Sequence, residues 1–356
     1  MPGTLSLYIV RRLLTSIAVT YLILFSIIYL IDFVEVLQRA SGDSTIFDVI
    51  LLGLQRTPII AEEVFPFIVL FGSIAAFVSL SRRMELVVAR ATGVSIWQMV
   101  APALLGAAFL GIAVTAFHNP VATYLKEKSI AFQAAVFGRA LNTSGGLWLR
   151  QRSDDDQSII RAAASRDKGR SLAGVTAFIF TPEGALKERV DSAEAVLRNG
   201  YWEMASARVV RPGSPPQSHD VYRVGTNLTP DQIAETIATP ETISFWELPR
   251  VITQWDEAGI RTEKFRLRYQ ELMARPLVYA TMVLIAATVS LGFARFGGLG
   301  KAILGGVIAG FMLYVGGEMA GDLGAAGFIV PFVAAWVPSA IGVLLSVTVL
   351  LYQEDG

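Results

Sequence analysis

Six apolar stretches without a single charged residue dominate this sequence and limit what it can fold into. A helix that crosses a bilayer needs about 20 mostly apolar residues, because the hydrocarbon core is about 30 Å thick. Three stretches precede a polar middle region and three follow it. We therefore predict an α-helical membrane protein with six transmembrane helices in a 3+3 arrangement, whose spans are Leu13–Ile31, Val64–Ser81, Ala91–Phe117, Pro276–Ala294, Ala302–Gly317 and Leu323–Gln353.

Composition excludes several kinds of chemistry. The chain has no cysteine, so disulfides, thiolate metal sites and cysteine nucleophiles are excluded. Its two histidines, His118 and His219, are too few for a zinc site built on several imidazoles. The formal net charge is zero, which gives no indication of nucleic acid. We expect neither a cofactor nor a catalytic set, and therefore not an enzyme.

The polar middle region predicts an inserted all-β domain. Short runs such as Gly174–Phe180 are separated by turn residues, and Asn199-Gly200 between two runs is a typical signal for a tight hairpin. The predicted organisation is 1–138 for the first three spans, 139–240 for the β domain, and 241–356 for connecting helices and the last three spans.

Basic residues in the short loops predict the orientation. They lie before span 1, between spans 2 and 3, and between spans 4 and 5, which is one side of the membrane if there are six spans. Basic loops face the cytoplasm. We therefore expect both termini in the cytoplasm and the β domain outside. The basic residues on which this expectation rests are Arg11, Arg12, Arg82, Arg83, Arg90, Arg295 and Lys301.

The segment at about 83–93 is amphipathic, too polar to span, and ends at Gly93. One interpretation is a rigid cytoplasmic helix that transmits motion from a separate ATPase, with Arg83, Glu85 and Arg90 at the contact. The other is a surface helix at the membrane interface.

Charged residues at the outer ends of the spans have two interpretations as well. They are either solvated helix ends or members of a proton relay. His118 is interpreted as an interfacial imidazole. The nearest approach to a phosphate-binding loop, at 297–302, has Ala302 where a metal-holding hydroxyl is needed, so we expect no bound nucleotide. The charged residues are Asp32, Glu35, Glu62, Glu63, Glu318 and Asp322.

Span 5 is rich in glycine. Gly306 with Gly310, and Gly317 with Gly321, form two GxxxG pairs that permit close helix approach. They serve either packing within the chain or an interface with a second subunit.

The order of several short motifs resembles the lipopolysaccharide export permease family LptF/LptG, and the LptG branch most closely. The similarity covers nearly the whole chain and includes the 3+3 layout. The matching features are Pro58, Phe65-Pro66, Glu85-Leu86-Val87-Val88 through Gly93, Pro120, Gln133-Ala134, Gly146-Leu147-Trp148, Asn227-Leu228-Thr229-Pro230-Asp231, Pro331 and Pro338-Ser339.

This resemblance implies a periplasmic β-jellyroll-like domain and a place in the bacterial inner membrane. It implies a heterodimer with an LptF paralogue, a dimer of the ATPase LptB, the partner LptC, and lipopolysaccharide as the substrate. Glu85 matches the family's coupling glutamate. LptG relatives often carry several lysines at the outer end of span 1, whereas Asp32 and Gln38 stand in such places here.

Span 1 and the residues just outside the membrane then become candidates for lipid contact. Span 1 offers an apolar wall for acyl chains, and nearby basic side chains suit lipid phosphates. We expect the lipid to enter where spans 1 and 5 meet the paralogue. The candidate residues are Phe25, Ile28, Tyr29, Phe33, Arg39, Lys126 and Lys128, with Gly306, Gly310, Gly317 and Gly321 as a subunit gate.

Two other functions remain open on the sequence. One is a mechanotransmitting ABC subunit that moves no lipid. The other is a proton-coupled secondary transporter, although such a carrier needs carboxylates near the membrane midplane.

Overall fold

A computed structural model describes residues 2–39, 45–137, 147–152, 157–166, 170–181, 185–227, 240–257, 261–296 and 299–355. In this part of the chain, six helices are long and apolar enough to cross a membrane. The predicted six spans and inserted β domain are thus confirmed. Gly146, residues 228–231 of the motif that begins at Asn227, and residues 297–298 lie outside the described ranges.

The first half of the chain is almost entirely helical. Span 1 is α1, span 2 is α3, and span 3 is α5 continued by a π-helical turn and α6. The elements are α1 (Pro2–Arg39), α2 (Ile46–Glu63), α3 (Phe65–Arg82), α4 (Glu85–Ala91), α5 (Ile96–Ala113), the π turn (Val114–His118) and α6 (Asn119–Phe137).

The connection between spans 1 and 2 is the helix α2. Thr45 and Asp48 start it with a capping box, in which the Thr45 side chain accepts from the Asp48 N–H and the Asp48 carboxylate accepts from the Thr45 N–H. Val49 and Leu52 are buried together with Val36 of span 1. A helix forms here because its apolar face has span 1 and α6 to pack against.

The second half returns to the membrane through a 3₁₀ turn, a short amphipathic helix and three long helices. They are Pro240–Thr242, α7 (Leu248–Glu257), α8 (Glu263–Phe296, span 4), α9 (Leu299–Ala325, span 5) and α10 (Pro331–Asp355, span 6).

Spans 2 and 4 form the centre of the helical bundle. In the most apolar stretch of each span, the buried share is 56% for span 2 and 61% for span 4. It is only 11% for span 1 and for span 5. Span 3 meets span 4 at Gly111, where an added Cβ would lie 2.6 Å from the Pro276 Cα atom. Glycine is needed there because the two backbones touch.

The β domain is one antiparallel sheet of six described strands that pair in chain order. Asn199-Gly200 forms the predicted hairpin turn, and Gly200 has φ +82°. The strands are β1 (Leu147–Arg152), β2 (Gln157–Arg166), β3 (Ser171–Phe180), β4 (Leu186–Arg198), β5 (Tyr201–Val210) and β6 (Gln217–Gly225).

A buried glutamine of β1 connects the first strand of this sheet to the end of its last strand. The Gln151 Oε1 atom accepts hydrogen bonds from Trp202 Nε1 at 3.1 Å and from Thr226 Oγ1 at 2.7 Å. Its Nε2 atom donates to the Gly225 carbonyl at 3.3 Å. Trp202 is fully buried, so this network satisfies an indole N–H that would otherwise lack a partner in the core.

Candidate functional site

A buried cluster of charged side chains surrounds Glu62, at the end of α2. The Glu62 side chain is 1% exposed. Its Oε1 atom accepts from Arg275 Nη2 at 2.5 Å, Arg268 Nη2 at 2.9 Å and Asn119 Nδ2 at 2.9 Å. His118 Nδ1 lies 3.6 Å from the other carboxylate oxygen. One carboxylate therefore joins α2, span 3 and span 4.

The charge on Glu62 is stabilised despite its burial. Burial by itself raises the pKa of this carboxyl group, but the contact with His118 and the guanidinium groups of Arg275 and Arg268 lower it more. The net effect holds the pKa of Glu62 well below its usual range. The interpretation of Glu62 as a solvated helix end is thus wrong, and it is also wrong for Asp32, which is 4% exposed and 3.4 Å from Arg56.

The π-helical turn places two members of this cluster. A π turn inserts one extra residue into a helix and is frequent at functional sites. Here it brings His118 and Asn119 to face Glu62. His118, expected to be an interfacial imidazole, also lies 3.4 Å from the Tyr21 hydroxyl of span 1.

The same turn ties the segment before α7 to the membrane helices. The Asn119 side-chain oxygen accepts from the Phe245 backbone N–H at 2.9 Å. Trp246 Nε1 donates to the Ala116 carbonyl at 3.1 Å. Because this segment follows the β domain in the chain, the cluster lies where the β domain and the spans are joined.

A cavity of about 660 Å³ opens beside the cluster, between the ends of spans 2, 4, 5 and 6 that lie nearest to it. Its wall combines apolar side chains with an excess of carboxylates over basic groups. The carboxylates that line it are Glu62, Glu63, Glu241, Glu271, Glu318 and Asp322.

At the opposite end of the spans, α4 is held between two residues with left-handed backbone. Met84 has φ 59° and Gly93 has φ 86°, so the chain turns sharply on both sides of the helix. The Tyr8 hydroxyl of span 1 donates to Glu85 Oε2 at 2.9 Å. Arg83 is exposed, and the Arg90 side chain lies outside the described residues.

The candidate lipid-contact residues of span 1 are half-buried. The ring centre of Phe25 lies 5.6 Å from that of Tyr21. Phe33 packs against the buried cluster of Val36, Val49 and Leu52. Tyr29 and Ile28 are also half-buried, and the Tyr29 ring covers Gly53 of α2. The side chains that span 1 exposes are others, including Leu22, Ile23, Ile27, Leu30 and Ile31.

The candidate basic residues lie on the two helices that leave the membrane. Lys126 is half-buried, and Lys128 is exposed with its ammonium group 4.7 Å from the Tyr124 ring centre. Arg39 ends α1, and its side chain is outside the described part.

The four candidate gate glycines differ in what they meet. An added Cβ at Gly306 would contact Val289 of span 4, and one at Gly310 would contact Leu70 of span 2. Gly317 has open space around it, and Gly321 faces Glu271. Packing within the chain therefore accounts for the first pair.

Sequence reasoning noticed Glu62 and His118 but did not bring them together, and it did not single out Arg268, Arg275 or Asn119. An available signal was the pair of arginines seven residues apart, two helical turns, at the start of span 4. Basic residues so placed on one helix face next to lipid require a carboxylate partner.

Comparisons with known proteins agree with this architecture. The family model described as "Lipopolysaccharide export system permease LptF/LptG" matches residues 7–352. The "Lipopolysaccharide export system permease protein LptG" of Escherichia coli strain K12 is 26% identical over 363 residues, which cover 99% of each chain. The protein of the same name from Haemophilus influenzae is 23% identical over 374 residues, which cover 100% of each chain. The chain is therefore a multi-pass inner-membrane protein that belongs to the LptF/LptG family of lipopolysaccharide export system permeases.

Proposed function

We propose that this chain is the transmembrane permease subunit of an ABC transporter, which extracts lipopolysaccharide from the inner membrane and passes it to a periplasmic bridge towards the outer membrane. Its partners are an LptF paralogue in a heterodimer, an LptB ATPase dimer that hydrolyses ATP, and LptC. Family membership over nearly the full length supports this proposal.

The observation that carries the proposal is the exposure of spans 1 and 5. Only 11% of the most apolar stretch of each is buried within the chain. Their exposed side chains include Leu22, Ile27 and Leu30 on span 1 and Ile308 and Phe311 on span 5. Two lightly packed spans can contact a paralogue and separate again, which a lateral lipid entrance requires.

Lipopolysaccharide enters between these spans and the paralogue in this proposal. Its acyl chains contact the outer half of span 1, from Phe25 to Phe33, and Gly317, with open space around it, allows close approach of the second subunit. Lys126, Lys128 and Arg39 meet the lipid phosphates. Contacts of this kind are charge-assisted, about twice as strong as neutral hydrogen bonds.

Glu85 and its neighbours Arg83 and Arg90 couple the ATPase to the spans. The short helix α4 is fixed at both ends by sharp turns, and Tyr8 links it to span 1. A helix held in this way moves with the spans as one body when an ATPase pushes it.

Photo-crosslinking tests the lipid path. A photo-crosslinking amino acid in place of Phe33 is expected to trap lipopolysaccharide in the assembled complex. The amount of trapped lipopolysaccharide should fall when ATP is supplied. The same residue at Phe117, a 74% exposed side chain of span 3, serves as the control and should trap bulk phospholipid. Capture of phospholipid alone at Phe33 contradicts the path.

Substitution of Glu85 tests the coupling. Glu85→Ala is expected to weaken LptB binding or lipid release, because the group on LptB that pairs with the Glu85 carboxylate would be left without a partner. Glu127→Ala removes an exposed carboxylate from α6 and is the matched control. Full complementation by Glu85→Ala with unchanged complex assembly removes this role.

A further inference from the structure

The cavity beside Glu62 has an excess of negative charge. Six carboxylates and three basic side chains line it, and the basic groups are Lys264, Arg268 and Arg275. Both arginines are already bound to Glu62, and Arg268 is also 3.8 Å from Glu271. Among the described residues, no ion pair within 4.0 Å serves Glu63, Glu241, Glu318 or Asp322.

These four carboxylates come from three separate elements. Glu63 ends α2, Glu241 lies in the 3₁₀ turn, and Glu318 and Asp322 lie one turn apart on span 5. Burial raises the pKa of Glu63, and the nearby charges of Glu241 and Glu318 raise it further against the opposing effect of Lys126 and Arg268. The carboxylates therefore repel one another, and a cation between them would relieve that repulsion.

The deep end of the cavity has unused hydrogen-bonding groups. Tyr279 lines the cavity and is 1% exposed, yet its hydroxyl has no hydrogen-bond partner among the residues that the structure describes. Within the same described part of the chain, the Nη1 group of Arg275, which is 9% exposed, also has none. A buried donor without a partner destabilises the protein, so a ligand that brings an acceptor to this end would gain hydrogen bonds.

The remaining wall suits an amphiphile. Leu313, Val278 and Met282 present apolar side chains between the polar groups. Glu62 and Glu63 directly precede span 2, and Glu318 and Asp322 lie near the end of span 5. The cavity is thus level with one end of the spans, at the depth where lipid headgroups lie.

We propose that this cavity binds a zwitterionic lipid headgroup of the phosphoethanolamine type. Its primary ammonium group lies among Glu63, Glu318 and Asp322, and a phosphate oxygen accepts from Tyr279 and Arg275. This site is inside one subunit, so it does not depend on the lipid path proposed between subunits.

Two sources supply this chemistry, a bilayer phospholipid and an amine-bearing saccharolipid. Native mass spectrometry of the delipidated full chain can compare phosphatidylethanolamine, phosphatidylcholine and phosphatidylglycerol with identical acyl chains. We expect phosphatidylethanolamine to bind most tightly. Phosphatidylcholine has no ammonium N–H, and phosphatidylglycerol has no cation, so each should bind about tenfold more weakly.

Variants connect this preference to the cavity. Glu318→Gln and, separately, Asp322→Asn should each reduce phosphatidylethanolamine binding several-fold and leave phosphatidylglycerol unchanged. Tyr279→Phe should weaken both lipids, because both carry a phosphate. Glu127→Gln, an exposed position outside the cavity, is the control of equal charge change.

A further arm separates the two sources. Lipid A with and without a phosphoethanolamine group is titrated in the same way. Selective binding of the modified lipid A, but not of phosphatidylethanolamine, supports the site with the saccharolipid as its ligand. Equal binding of all three phospholipids, together with no effect of Glu318→Gln or Asp322→Asn, overturns the proposal even if lipopolysaccharide transport is confirmed.

Discussion

Arg275 of span 4 contacts Glu62 of α2 at 2.5 Å, although 213 residues separate them in the sequence. The contact crosses the whole β domain in the chain, so it joins the first and the second half of the helical bundle. Arg268, two turns earlier on the same helix, contacts the same carboxylate oxygen at 2.9 Å. One buried carboxylate thus contacts both halves of the bundle.

Replacement of Glu62 by glutamine should destabilise the chain by about 3–5 kcal/mol, since Arg275 and Arg268 would remain buried without their counter-charge. Thermal unfolding in detergent measures this loss. Glu127→Gln, with an exposed side chain, should unfold like the parent chain. Equal unfolding of Glu62→Gln and the parent would mean that the cluster contributes little.

The stabilisation by Glu62 should depend on pH with a definite sign. Its pKa is lowered in the folded chain, so the stabilisation is complete above the ordinary glutamate pKa of about 4.3 and is lost as the pH falls below it. The difference in unfolding free energy between the parent chain and Glu62→Gln should narrow as the pH falls below about 4. A difference that widens below about pH 4 contradicts this assignment.

Gly111→Ala should destabilise the helical bundle by about 1–3 kcal/mol, because the new methyl group would press against the Pro276 backbone, which cannot yield as a side chain can. Gly316→Ala on span 5 is the matched control. Gly316 has open space around it, so this substitution should leave the stability unchanged or raise it by up to ~1 kcal/mol. Thermal unfolding of the isolated chain compares them, and equal stability of the two variants would contradict the close contact.

Cysteine labelling should place the β domain and α4 on opposite sides of the membrane. The chain has no cysteine, so Gln217→Cys and Thr92→Cys each add one exposed thiol. A membrane-impermeant maleimide should label position 217 in cells with a permeabilised outer membrane. Position 92 should react only after the inner membrane is opened. The reverse pattern would show that the orientation derived from the basic loops is wrong.

The sequence by itself determined the number of spans, the all-β insertion and the Asn199-Gly200 turn. These features depend on local properties, namely the length of an apolar run and the backbone freedom of glycine. It did not determine that the connection between spans 1 and 2 is a helix. The capping residues Thr45 and Asp48 were visible, but α2 is stable because it packs against span 1 and α6.

Only the tertiary structure decided the state of the charged residues. From the sequence, Glu62 and Glu318 are both carboxylates at the outer end of a span. In the fold, Glu62 is buried against Arg275 and Arg268, whereas Glu318 is exposed and faces a cavity. The difference arises because burial and ion pairing depend on which distant helices pack together. The sequence of one span does not show which other helices will pack against it.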